Sequence, residues 1–300
     1  MCFHETGNVK KNKMKKTILI TGVTGAIGGA TALELAKSGA TVVLLARNKD
    51  KVENLRKEIS QKSGNNNIDI LIADLSDKTS VKNAAKEFKR KYKRLDSLLN
   101  IAAVYKAKRE ITKEKLEMMF ATNHMGPFIL TNELLDLLKA SKPSRVITVT
   151  APSTTKINFD DLQGEKKFSP LNAFGASKMM NLLFTYSLAR RMKDEGVSAT
   201  AFFPGLTKSN LALEMPSFIK IILKIAEGKP ERPAKMLCRL ALDQMYQNSN
   251  GKFYKFNGKE IKSSSYSYDN DIQARLWKRS EQLAKTAKAL IKKEELLEVY

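Results

Sequence analysis

The chain is short of several things that would decide its function quickly. It has two cysteines, Cys2 and Cys238, in 300 residues. That number gives no disulfide framework and suits a reducing compartment, so the expected location is cytoplasmic. Its two histidines, His4 and His124, stand far apart, so no histidine metal site is expected, and His124 reads as a structural side chain. No apolar run approaches the ~20 residues of a membrane span. The N-terminus has no apolar core of a secretory signal. Internal repeats and low-complexity linkers are missing too. Acidic residues are scarce, 31 against 53 basic ones, for a net charge of +22. A charge of that size favours anionic ligands. The lysines, however, are spread over nearly every predicted helix with no interleaved aromatics, so no specific nucleic-acid partner is expected.

With 42% hydrophobic residues there is ample material for a folded core. Short β-branched runs alternate with helical patterns. Thr17–Thr21, Thr41–Ala46, Ile68–Ala73, Leu95–Leu99, Arg145–Thr150, Ser198–Phe203 and Lys252–Phe256 read as strands. Their near-continuous apolar character is that of parallel strands buried on both faces. Helices are expected between them, with Ser76 as an N-cap and a kink or junction at Gly126-Pro127. Residues 1–15 read as a flexible basic leader, with Met14 an alternative start. Residues 16–270 form one domain that includes a lid over about 206–230, and residues 271–300 form a helical tail. Phe218–Ile225, apolar and edged by lysines, suits a mobile pocket cover, a partner-helix surface or an interfacial anchor, and reads best as a lid with weak membrane-surface contact.

Gly22-Val23-Thr24-Gly25-Ala26-Ile27-Gly28 follows the first strand and opens a helix. Strand, glycine turn and helix in this order are the setting of a dinucleotide site. Gly22 permits the tight turn, Gly25 lets backbone approach a pyrophosphate, and Gly28 allows close helix–strand packing. The second strand ends in Arg47, where an NAD site would place an acid. A cation there suits the 2′-phosphate of NADP(H), with Lys51 and Thr24 as helpers. Asp160 and Asp161 are neighbours in sequence and read as a solvated turn. Phe174-Gly175-Ala176-Ser177-Lys178 puts residues 174 and 178 on one helix face. An acid at 174 beside the Lys178 cation would make a proton donor, but phenylalanine has no proton to give.

These segments resemble the short-chain dehydrogenase/reductase family, and within it the retinol-dehydrogenase branch. Leu44-Leu45-Ala46-Arg47-Asn48, Asn123-His124-Met125-Gly126 and Asn158–Lys166 carry the likeness. So do Ala234-Lys235-Met236, Ser249–Tyr254 and Arg275-Leu276-Trp277. The resemblance implies an α/β, Rossmann-type doubly wound fold: a seven-stranded parallel sheet with helices on both faces. It implies a homodimer through Met125–Leu138 and Lys178–Arg191. It assigns cofactor contacts to Gly22, Thr24, Gly25, Ile27, Gly28, Asp74, Leu75, Asn100, Ala102, Pro204, Gly205 and Ser209. Ala26, Ile101 and Ala103 depart from the family pattern. Of the family's catalytic Asn, Ser, Tyr and Lys, Asn123 matches the residue that organises a relay water. Lys178 matches the one that binds the nicotinamide ribose. Ala151 and Phe174 stand where the Ser and Tyr belong. Ser153, Thr154 or Tyr105 are alternative sources of a hydroxyl.

Three functions follow. The first is an atypical NADP(H)-dependent oxidoreductase acting on a small, activated apolar substrate such as an imine or conjugated carbonyl. The second is a non-redox catalyst on the same fold. The third is an inactive cofactor-binding regulator or scaffold.

Overall fold

The computed structural model describes residues 15–206, 214–215 and 228–285. Ser209, Phe218–Ile225 and nearly all of the expected lid, together with Leu290 of the tail, lie outside the described residues. So do Cys2 and His4 of the leader.

Seven parallel strands form one sheet: β1 Thr17–Thr21, β2 Thr41–Ala46, β3 Ile68–Ile72, β4 Ser97–Asn100, β5 Ser144–Val149, β6 Val197–Phe203 and β7 Lys252–Lys255. Their order is β3-β2-β1-β4-β5-β6-β7. Leu19 sits between Val43 of β2 and Leu98 of β4 in register. The strand positions and the expected sheet agree to within two residues at the ends. The chain runs outward from β1 to β3, then returns to place β4 on the other side of β1. That reversal opens a crevice at the carboxyl ends of β1 and β4.

The two faces have separate cores. On one, α1 (Ala26–Lys37), α2 (Lys49–Ser63) and α8 (Glu231–Leu242) cover Ile18, Ile20, Val42, Leu44 and Phe202. On the other lie α3 (Lys78–Lys91), the segment of α4 (Met118–Phe120), α5 (Gly126–Glu133) and α6 (Leu135–Ala140), and then α7 (Pro170–Arg191). The N-cap of α3 is Asp77, not Ser76: Asp77 accepts from the Ser80 N–H, while the Ser76 N–H and hydroxyl both donate to Asp74. An Asx side chain one position on is equally competent as a cap, and Asp74 claims the serine first. The expected kink before Gly126-Pro127 is a π-helical turn, Ala121–Met125, joining α4 to α5.

The C-terminal helix α9 (Asn270–Lys285) packs on α7 and α5. Trp277 stacks on Phe184 at 5.8 Å and meets Phe128 edge-on at 5.1 Å. The Arg191 guanidinium lies 4.2 Å above the Trp277 ring. His124 is buried in the same cluster, and its Nε2 pairs with the Ser280 hydroxyl at 2.8 Å. Burial pulls its pKa down to about 3, as befits a neutral packing residue. Part of the helical surface that the resemblance implies for a dimer, around Phe128 and Phe184, is thus packed against α9. No helix among the described residues is long and apolar enough to cross a membrane.

Candidate active site

The crevice begins with crowding that only glycine tolerates. Gly22 has φ +71°, and a Cβ there would lie 2.7 Å from the backbone N and Cα of Ala102. A Cβ on Gly28 would lie 2.2 Å from the Gly22 carbonyl oxygen. The β1 and β4 loops therefore touch through bare backbone. Thr21 fastens them: its hydroxyl donates to the Leu99 carbonyl and accepts from the N–H groups of Ile101 and Ala102. The sequence marked Thr21 only as the end of a strand. Its bonds are long-range and leave no local pattern.

Helix α1 starts at this junction with Gly25 as its N-cap and no side-chain cap. No side chain caps the N–H groups of its first turn, around Ile27, and a free helix N-terminus suits a pyrophosphate. Thr24 and Lys51 line one groove of about 620 Å³ between α1 and α2, together with Gly25. Arg47 is exposed at the end of β2, outside that lining, and Asn48 beside it caps α2. Asp74 is held by Ser76. Leu75 packs so tightly on Gly126 that a Cβ there would lie 2.5 Å from the Leu75 carbonyl oxygen. Asn100 donates to the Thr131 hydroxyl, and its Oδ1 has no partner among the described residues. Pro204 and Gly205 follow β6 at the same edge, with Gly205 at φ +77° against the Phe256 ring. The structure gathers these residues along one sheet edge.

Further along that edge the chemistry changes. The Asn123 side chain is fully engaged. Its Oδ1 accepts from the Val104 N–H at 2.7 Å, and its Nδ2 donates to the Val104 carbonyl at 2.9 Å and the Ser177 hydroxyl at 3.1 Å. Ser177 in turn donates to the Phe174 carbonyl. Asn123 thereby fixes the loop after β4 against α7. Thr150 donates to the Lys178 carbonyl at 2.7 Å, so β5 and α7 are pinned beside Ala151. Lys178 is buried, with its ammonium 5.2 Å from the centre of the Phe174 ring. Burial lowers its pKa to about 8. Ala151 and Phe174 are both partly buried and offer no polar side-chain atom. Tyr105 meets Phe174 edge-on at 5.6 Å. Asp161 caps its own loop by accepting from the Glu165, Lys166 and Lys167 N–H groups, a turn rather than an acid–base pair. Among the described residues no group of His, Cys, Asp and Glu could hold a metal ion.

A family model described as short chain dehydrogenase matches residues 16–218. Retinol dehydrogenase 13 of Homo sapiens is 32% identical over 280 residues, covering 89% of this chain and 84% of the relative. A solved but uncharacterized protein from Mycobacterium paratuberculosis is 29% identical, covers 90% of this chain and 93% of its own, and superposes with a TM-score of 0.73. A short chain dehydrogenase from Shigella flexneri 2a, solved in complex with NADP, is 22% identical with a TM-score of 0.64. It covers 80% of this chain and 96% of its own.

Proposed function

The chain belongs to the short chain dehydrogenase family, in its retinol-dehydrogenase-like branch, and on that premise we propose that it is an NADP(H)-dependent oxidoreductase acting on an apolar substrate with an activated acceptor. The carrying observation is the contrast along the sheet edge. The glycine turn, the uncapped α1 N-terminus and buried Lys178 persist, while Ala151 and Phe174 present no hydroxyl.

The cradle fits a dinucleotide. Gly22, Gly25, Ile27 and Gly28 would hold its pyrophosphate against α1, and Asp74 with Leu75 would border its adenine. Arg47 is the cation nearest the end of β2 and suits a 2′-phosphate, with Thr24 and Lys51 as helpers. Asn100, Ala102, Pro204, Gly205 and Ser209 would flank the nicotinamide half, and Lys178 would hold its ribose. A bound dinucleotide supplies hydride; the protein supplies orientation and water exclusion.

A positioned acid is worth about 10²–10⁴ in rate, and a hydrogen bond that polarises a carbonyl is worth a comparable factor. Ala151 and Phe174 remove both from the aligned positions. Simple aldehydes and ketones are therefore poor substrates. An iminium ion needs no proton at the carbon that accepts hydride, and a conjugated carbonyl spreads the developing charge. The apolar floor of Phe174 and Ala151 selects an apolar body. The test is NADPH oxidation by purified protein with cyclic imines, enones and simple aldehydes. The reading expects turnover of the first two above the third. Binding of NADPH with no turnover of any acceptor would overturn the enzyme assignment and leave a cofactor-binding regulator.

A further inference from the structure

Asn123 and His124 are neighbours in the π-helical turn Ala121–Met125, and both are buried. The Gly126 N–H closes that turn on the Ala121 carbonyl. Asn123 engages the loop after β4, where it holds the N–H and the carbonyl of Val104. His124 engages α9 instead, with its Nε2 on the Ser280 hydroxyl at 2.8 Å. Ser280 gives its own proton to the Leu276 carbonyl at 2.9 Å, so Nε2 is the donor in that pair. The rings of Phe120, Phe128 and Phe184 stand around the imidazole at 5.7, 6.0 and 6.4 Å.

A π-turn carries one residue more than an α-turn; such turns are rare and recur at functional sites. Relaxation to the α register would rotate the chain on one side of the turn by about 100° relative to the other. Asn123 could not then keep both bonds to Val104. The socket around His124 opposes that rotation, because a buried ring packed on three others has nowhere to swing. α9 closes the socket with Ser280, and its Trp277 packs on Phe128 and Phe184. The other end of α9 is tied down as well. Lys78 and Lys82 of α3 donate to the Leu283 and Ala284 carbonyls at 3.1 and 2.9 Å. Val104, at the far end of this chain of contacts, lies just beyond Ala102, whose backbone meets Gly22 in the crevice.

We propose that His124 and Ser280 are positioning residues: docking of α9 fixes the π register, the register aims Asn123, and Asn123 sets the loop after β4 for a bound dinucleotide. The last step rests on the dinucleotide reading above. The two-state element is the turn itself, with a π and an α register, and both the tail and the crevice bias it. Tail docking and dinucleotide binding then favour each other by the same factor.

The test is limited digestion of the full chain with trypsin. Arg275 and Lys278 are exposed on α9, and Lys235 is exposed on α8, across the sheet. A peptide bond inside a helix is cut only when the helix opens, so the cutting rate reports the open population. Asn123→Ala breaks the Val104 clamp, and the hydrogen bonds it removes all lie outside α9. Without cofactor it should speed cutting at Arg275 and Lys278 about tenfold, the scale of a lost buried hydrogen bond, and leave Lys235 within about twofold. Asn123→Ser takes its place should the alanine variant not fold. Saturating NADP+ should slow tail cutting in the wild-type protein by about tenfold, and by less in the Asn123 variant. An unchanged tail rate in the variant, or equal acceleration at Lys235, overturns the assignment. NADP+ bound by calorimetry with no protection of the tail overturns the coupling to the crevice. No NADP+ binding, with the Asn123 effect on the tail intact, instead overturns the dinucleotide reading and leaves the brace from α9 to Val104 standing.

Discussion

The two halves of the crevice are built from the same sheet edge and differ in what they keep. The half around Gly22, Gly28 and α1 consists of backbone contacts with no slack: a Cβ would fall 2.7 and 2.2 Å from neighbouring backbone atoms. The half around Ala151, Phe174 and Tyr105 consists of side chains, and Ala151 and Phe174 offer it no polar side-chain atom. A backbone cradle cannot drift one atom at a time, because each change collides with the opposite loop. A side-chain floor can be altered without disturbing the fold. Under the proposed function, dinucleotide binding and proton delivery would be separable here, with Lys178 assigned to the first and packed against Phe174 of the second.

The largest effect should come from restoring the missing groups. Ala151→Ser with Phe174→Tyr should raise NADPH-dependent reduction of simple aldehydes by about 10²–10⁴, read by steady-state kinetics. No gain would mean that these two residues do not face the reacting carbonyl, and the contrast between halves would fail. Lys178→Met probes the shared residue. The folded pKa of about 8 lies below the ordinary 10.5. Between those values the unfolded chain keeps a proton that the folded chain has released. Stability should therefore rise as pH climbs from about 8 to 10.5, and the charge costs the fold about 3 kcal/mol below that window. Chemical denaturation across pH should show this slope in the wild type and not in Lys178→Met. The variant should be more stable at pH 7 and bind NADPH at least about tenfold more weakly, the loss of one charge-assisted hydrogen bond. Gly28→Ala sharpens the other half. Its Cβ collides with Gly22, so it should cost about 1–3 kcal/mol in stability and weaken dinucleotide binding, while Phe174→Leu alone leaves that binding intact.

How much of this was legible in the sequence follows from where each interaction lies along the chain. The strands were readable because burial on both faces leaves unbroken runs such as Thr-Val-Val-Leu-Leu-Ala at 41–46. The glycine turn was readable because its spacing is local. The π-helical turn at Ala121–Met125 appeared only as a junction, since a single extra residue in a helix leaves no periodic trace. The start of α3 was misplaced by one residue because Ser76 and Asp77 are both good caps, and only the tertiary structure shows Asp74 occupying the serine. Thr21 bridging two loops, Asn123 clamping Val104, and Tyr105 against Phe174 all join residues distant in sequence. The packing of Trp277 on Phe128 and Phe184 and of Ser280 on His124 was likewise out of reach, although the tail's helical character was plain.

The central claim is that the backbone half still holds NADP(H). Titration calorimetry of the full chain with NADPH and with NADH tests it, with Arg47→Glu alongside. The account predicts that NADPH binds at least about tenfold more tightly than NADH, the scale of one phosphate–arginine pair, and that Arg47→Glu removes the preference. Equal affinity for the two, or no binding of either, would contradict it.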